Sequence, residues 1–176
     1  QLLKSNTPIS LFSINPNAAI SKITKPYYIE FNFHSLKKIL INELINLVLV
    51  GPEIPLIDGV YDFIKSDPDI NNIIVIGPSK KGSMLEGSKD FAKGFMNRFK
   101  IPTAKSKSFT KDTFSKAIDY LKTQSPPYVL KADGPAAGKG VVISDSFEGA
   151  SAVLKKMLIE NSFGKSSEKV VIEEFL

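Results

Sequence analysis

The stretch that decides the fold is YVLKADGPAAGKGVVI, residues 128–143. Two β-branched, apolar runs enclose a glycine-rich loop: Tyr128–Ala132 reads as one strand and Gly140–Ser144 as the next. A loop between two strands is a hairpin, which separates it from the strand-to-helix turn of a P-loop or Rossmann site. The spelling agrees. Gly134, Gly138 and Lys139 lack the gap and the trailing Ser/Thr of a Walker A motif, and no G-x-G-x-x-G fits here. What remains is a flap whose backbone N–H groups and one lysine can close over a polyphosphate, as the glycine loop of a kinase does. Glycine supplies unusual dihedrals and lets backbone approach the oxygens. Lys131 shares a strand face with Val129, where a cation is costly unless paired, and a phosphate would pair it. The plainer reading, an edge-strand lysine beside an ordinary hairpin loop, stays open on these residues alone.

Composition bounds the rest. The 176 residues suffice for one large or two small domains with real cores, and 43% apolar content is ordinary for a globular protein. No apolar run approaches a membrane span, the longest being Leu44–Val50 with Asn46 inside it. The opening QLLKSNTPIS lacks the charged region and apolar core of a signal peptide, so a cytoplasmic location with no membrane partner is expected. Without cysteine there are no disulfides, and a single His34 leaves little from which to build a zinc site. The net charge of +5 suits a polyanionic ligand, while paired lysines such as Lys80–Lys81 and Lys155–Lys156 read as solvated surface. With no basic block and no aromatic RNA-type motif, a nucleic-acid partner is not expected.

Taken in order, the chain alternates. Ile9–Ile14, Tyr27–Phe31, Leu47–Val50 and Asn72–Ile76 read as strands, with helical spacing over Phe33–Asn46 and Pro55–Lys65 between them. That pattern predicts a parallel, doubly wound α/β sheet. Two of its strands stop at Gly-Pro (51–52 and 77–78), a place where open α/β sheets bind ligands, although Gly-Pro also simply ends a strand. Beyond Ile76 the pattern changes. Gly87–Phe99 reads as a helix with Phe91, Phe95 and Phe99 on one face, expected to be core, and with Lys89 and Lys93 on another, expected to be solvated. Strand Ser106–Phe109, helix Lys111–Thr123, the opening hairpin, helix Phe147–Ile159 and strand Val170–Phe175 then make a compact α+β lid.

At these residues the sequence resembles the phosphoribosylamine–glycine ligase family, the glycinamide ribonucleotide synthetases, within the ATP-grasp superfamily. The resemblance is carried by VGPEIPLIDG (50–59), IGPSKKGSMLEGSKDFAKGFM (76–96), IPTA (101–104), the flap stretch and the ending KVVIEEFL (169–176). It implies a Rossmann-like, parallel-sheet pre-ATP-grasp domain over residues 1–103, with a linker helix at 87–99, followed by an ATP-grasp lid over 104–176. It implies ATP and Mg2+ (or Mn2+) as cofactors, glycine and 5-phosphoribosylamine as substrates, and ligation through a glycyl phosphate.

The same resemblance implies roles residue by residue. Lys89 and Lys131 would reach the nucleotide phosphates, and Gly134, Gly138, Lys139 and Gly140 would form the mobile flap. Glu173, Glu174, Phe175 and Leu176 would be the hinge that meets adenine, with the Glu173 side chain taking part. Gly51, Pro52 and Glu53 would help seat phosphoribosylamine, and Asp133 would face the reacting groups. The chain departs from the family pattern at Pro135, where leucine is usual, and at Asn17-Ala18-Ala19, where a glycine-richer PGNAG is usual. The family's first strand and glycine-rich phosphate loop have no counterpart here, nor do its ribose-binding acid, its metal-binding Glu and Asn and its last domain. The expectation is a segment of a longer chain, without metal ligands or activity of its own. Another ATP-grasp carboxylate–amine ligase, or a non-catalytic nucleotide-binding module, remain the alternatives.

Overall fold

A computed structural model describes residue 6 and residues 8–136 and 138–176, so Ala137 of the flap lies outside the described residues. The chain forms two compact units. The first takes the described chain up to Val48 together with Phe63–Ile74, and the second takes Leu49–Asp62 together with Val75–Leu176.

In the first unit, β1 (Phe12–Ile14) pairs in parallel with β2 (Lys25–Tyr27). Between them lies a short helix, α1 (Ala18–Ser21), for which the sequence reading gave no element; Asn17 caps it by accepting the N–H groups of Ala19 and Ile20. Helix α2 (Phe33–Asn42), capped by Asn32, buries Leu36 and Leu40, and Ile64, Ile70 and Ile73 of the same unit are buried as well. It stops short of the expected Asn46 because Leu44 turns left-handed, at φ 51°. Lys37 closes this unit by donating to both Asp67 and Asp69 at 2.7 Å.

Strands β3 (Leu47–Leu49) and β4 (Ile74–Ile76) pair with each other. Bonds from Ile74 N–H to Asn46 C=O and from Val50 N–H to Ile76 C=O give the pair a parallel sense. The expected α/β character therefore holds, with the parallel strands divided over two small sheets. The single helix expected over 55–65 is two, α3 (Glu53–Asp58) and α4 (Val60–Ser66), because Gly59 ends the first at φ 100°, a conformation open chiefly to glycine.

The second unit also holds α5 (Lys80–Gly87), which its two glycines and low apolar content hid from the sequence reading. Ser79 caps α5, and Ser88 caps the next helix, α6 (Lys89–Arg98). The lid has the expected order: β5 (Ser106–Thr110), α7 (Phe114–Lys122), β6 (Tyr128–Ala132), β7 (Val141–Ser144), α8 (Phe147–Leu158) and β8 (Lys169–Glu173). Its four strands form one antiparallel sheet in the order β5-β8-β6-β7, and β6–β7 is the hairpin that the opening stretch requires.

Sheet register divides the side chains between two faces. Phe109, Tyr128, Leu130, Val170 and Ile172 pack with Ala117, Leu121, Ala150, Leu154, Met157 and Leu158 of α7 and α8 into the lid core. Each large side chain fully buried there contributes on the order of 1.5–3 kcal/mol. The other face gathers Lys131, opposite Val171, and Glu173, opposite both Val129 and Ser106.

Two expectations for α6 are overturned. Phe91, Phe95 and Phe99 are not core but 39%, 37% and 56% exposed, while Lys93 is buried rather than solvated, at 9%. Helix α6 turns its polar side to the lid sheet, where Asp90 meets Lys169 at 2.6 Å and Lys93 approaches Glu173.

Candidate active site

The sheet face opposite the lid core, the first turn of α6 and the base of the flap converge. Lys131 Nζ donates to Glu173 Oε2 at 2.7 Å, and Lys93 Nζ lies 3.4 Å from Glu173 Oε1. Glu173 is 6% exposed and its carboxylate is taken up by these two ammonium groups, which leaves the backbone beyond it at the end of β8. Of that backbone, the Glu174 N–H already donates to Lys105 C=O at 2.9 Å, and the Glu174 carboxylate accepts the Lys105 N–H at 2.8 Å. Phe175 and Leu176 follow, both exposed.

Asp133, the first residue after β6, closes the start of α6. Its carboxylate accepts the Ser88 hydroxyl at 3.0 Å and the Asp90 N–H at 2.8 Å, while Ser88 Oγ accepts the Phe91 N–H at 3.1 Å. A carboxylate on exposed first-turn N–H groups also complements the helix dipole. Lys89 is drawn to the same place. Its N–H donates to Asp133 C=O at 3.2 Å, and among the described residues its Nζ reaches only the carbonyls of Asp133 and Gly134, at 3.3 and 3.4 Å. Burial pulls the Lys89 ammonium below the usual lysine range; Asp133 opposes this, Lys131 adds to it and Glu173 opposes it. A partly desolvated cation with only long carbonyl contacts is suited to an anionic ligand.

The flap is fastened at its base. Gly134 N–H donates to Ser166 C=O at 3.1 Å, and the Ser166 hydroxyl donates to Pro135 C=O. Any Cβ on residue 134 would come within 3.0 Å of Ser166 Cα, so the backbones touch only because the residue is glycine. Farther out, Lys139 N–H donates to Ala136 C=O at 2.8 Å, Gly138 is left-handed at φ 78°, and Gly140 C=O accepts the Ala132 N–H at 2.7 Å. Asp133 and Gly134 also line a cleft of about 310 Å³ with Thr110, Lys165, Glu168 and Lys169.

Lys89, Lys131, Asp133, Gly134 and Glu173 are thus neighbours. Gly51, Pro52 and Glu53 lie elsewhere in the second unit: Pro52 precedes α3, and Glu53 lines a small cleft with Leu56, Ile57, Pro78, Ser83 and Glu86. The sequence reading missed Ser88, Ser166 and Lys93. For Lys93 there was a signal, since it lies one helical turn after Lys89 on the same face. Among the described residues no group of three His, Asp or Glu side chains is placed to hold a metal ion.

The Asp90–Lys169 pair yields a pH prediction. Lys169, and then Ser108, hold the Asp90 carboxyl below the usual carboxylate range. A folded-state value below the unfolded one adds stability that is present above about pH 4 and lost as pH falls through the folded value. The pair is more than one-third exposed, which limits its worth to about 1 kcal/mol or less. Asp90→Asn is therefore expected to flatten the acid limb of a urea-midpoint-against-pH curve below about pH 4. An unchanged limb would show that Asp90 gains nothing from Lys169.

Comparison with known proteins gives the family. Residues 1–86 match the family model described as phosphoribosylglycinamide synthetase, N domain, and residues 87–176 the one described as phosphoribosylglycinamide synthetase, ATP-grasp (A) domain. The phosphoribosylamine–glycine ligase of Listeria monocytogenes serotype 4b is 48% identical over 132 residues, which cover 75% of this chain and 30% of the relative. The chain thus spans about a third of such relatives. The crystal structure of the phosphoribosylamine–glycine ligase of Thermotoga maritima superposes with a TM-score of 0.69 at 30% identity, over 95% of this chain and 38% of that one. The biotin carboxylase domain of Hydrogenobacter thermophilus 2-oxoglutarate carboxylase, solved with MgADP and bicarbonate, gives 0.71 at 20% identity over 96% of this chain and 39% of that one, a likeness of fold alone.

Proposed function

The chain belongs to the phosphoribosylglycinamide synthetase family, and from that premise we propose that it carries the amino-terminal domain and the phosphate-binding part of a cytoplasmic, ATP-dependent ligase that joins glycine to 5-phosphoribosylamine in purine biosynthesis. The observation that carries the reading is the meeting of Lys89 and Lys131 at the base of a glycine flap, where among the described residues Lys89 Nζ has two long carbonyl contacts and no carboxylate.

The chemistry suits those parts. A glycine carboxylate is a poor electrophile. Its oxygen attacks the γ-phosphorus of ATP, the bond to ADP breaks, and a glycyl phosphate forms. The amine of phosphoribosylamine then attacks the carbonyl carbon, phosphate leaves and the nitrogen loses a proton. Charge neutralisation and positioning supply most of the catalysis of phosphoryl transfer, so lysines and a closing flap are suitable and no nucleophilic side chain is required. We assign Lys89 and Lys131 to the phosphates, Gly134–Gly140 with Lys139 to the flap, and the backbone of Glu174–Leu176 to adenine. Gly51, Pro52 and Glu53 remain our candidates for phosphoribosylamine. Magnesium, which the family implies, finds no group of three His, Asp or Glu side chains among the described residues.

The test is ADP release by the complete gene product, with glycine and phosphoribosylamine omitted in turn. Release that requires both supports the ligase. Release indifferent to phosphoribosylamine would move the substrate to another amine, and no release from a chain confirmed complete would leave a nucleotide-binding module. The unusual Pro135 is expected to matter little, because its carbonyl, the atom that Ser166 holds, survives replacement. Pro135→Leu should change the apparent ATP affinity less than about tenfold. A larger change in ATP titration would mean that flap stiffness governs binding.

A further inference from the structure

Lys93 has no part in the assignments above, yet it is the most buried lysine of the site, and it shares a carboxylate with Lys131. We propose that Lys93 is a positioning residue for Lys131: by holding the second oxygen of Glu173, it lets the Lys131 ammonium turn to a phosphate without stranding a buried carboxylate. The inference rests on the nucleotide reading given above.

The geometry assigns different roles to the two lysines. Lys93 Nζ donates to Thr103 Oγ1 at 2.8 Å and to Ala104 C=O at 3.0 Å, with Glu173 Oε1 at 3.4 Å as its third neighbour. With two hydrogen bonds and an ion pair, Lys93 cannot serve a ligand without giving up buried bonds. Lys131 has Glu173 as its one hydrogen-bond partner among the described residues, and its side chain is 28% exposed. One lysine is an anchor and the other is able to move. Two ammonium groups on one carboxylate also leave a net positive charge facing the flap, which a lone Lys131–Glu173 pair would not. If Lys131 left a Glu173 that had no second cation, a buried carboxylate would remain unpaired, which is strongly unfavourable. Phosphate binding would then have to overcome that penalty.

The experiment is ATP titration, by calorimetry, of the complete protein and of Lys93→Met, Glu173→Gln and the double variant. Lys93→Met is expected to weaken ATP binding at least about tenfold. The double variant should bind within about threefold of Glu173→Gln alone, because a neutral amide needs no second cation. That rescue is the decisive readout, since a lysine that merely tethers Thr103 and Ala104 would not be rescued by changing Glu173. Unchanged affinity in Lys93→Met, or a double variant as weak as Lys93→Met, overturns the inference while leaving the nucleotide reading intact. An unsubstituted protein that takes no ATP overturns both. Should Lys93→Met fail to fold, Glu173→Gln and the double variant still decide: equal affinities support the role, and a further tenfold loss in the double refutes it.

Discussion

Lys131→Ala is expected to lower kcat/KM for ATP in the complete ligase by about 10²–10³-fold, the scale on which one charged donor to a transferring group acts. The reason is its place: a partly exposed cation on β6, on the face that meets the first turn of α6, with a single carboxylate partner among the described residues. Removing it also takes from the Glu173 carboxylate its 2.7 Å partner and leaves the 3.4 Å ion pair with Lys93, so an altered charge balance contributes to the loss. Lys131→Ala combined with Glu173→Gln separates the two. If Lys131 contacts the phosphates, the double variant stays as impaired as the single, the opposite of the outcome expected for Lys93. Recovery to the level of Glu173→Gln alone would show that Lys131 only balanced the carboxylate, and would remove it from the phosphate site. Steady-state kinetics with ADP release as the signal make the comparison.

The contrast between the two lysines shows where the sequence could be read and where it could not. The hairpin was legible because β-branched runs flank the glycines, and the lid followed because helical and strand periods alternate through it. Lys131 stood out as a charge in an apolar strand. Its partner did not, because Glu173 lies 42 residues away and only sheet register brings β8 beside β6. Helix α6 was misread for a related reason. Its phenylalanines give the apolar stripe that normally marks a core face, but the ion pairs of Asp90 and Lys93 turn the other side to the sheet. Local pattern ranks apolar faces by hydrophobicity alone. Which face meets the sheet follows from long-range charge pairs that are invisible until the strands are aligned. Helix ends failed more simply: Gly59 and Leu44 take left-handed backbone that periodicity does not register.

Asp133→Ala is expected to destabilise the protein by about 2–3 kcal/mol, from the loss of charge-assisted bonds at a helix start and of the helix-dipole term. The resemblance offered Asp133 as a residue facing the reacting groups, whereas its carboxylate accepts the Asp90 N–H at 2.8 Å and the Ser88 hydroxyl at 3.0 Å. Since Asp133 directly follows β6 and precedes Gly134, those bonds fix the root of the flap to the helix that carries Lys89. Asp133→Asn keeps an acceptor for the Asp90 N–H but loses the charge, so it should cost roughly half as much. Urea unfolding measures both, with the midpoint falling and the slope unchanged if only stability is altered. A contact with substrate makes the contrary forecast: an unmoved midpoint in both variants and a raised KM for glycine or the amine. If the midpoint falls and ATP affinity falls with it, while the other two KM values hold, Asp133 serves the site by joining flap to helix. The phosphates would then be gripped by a flap whose root is set by the same carboxylate that starts α6.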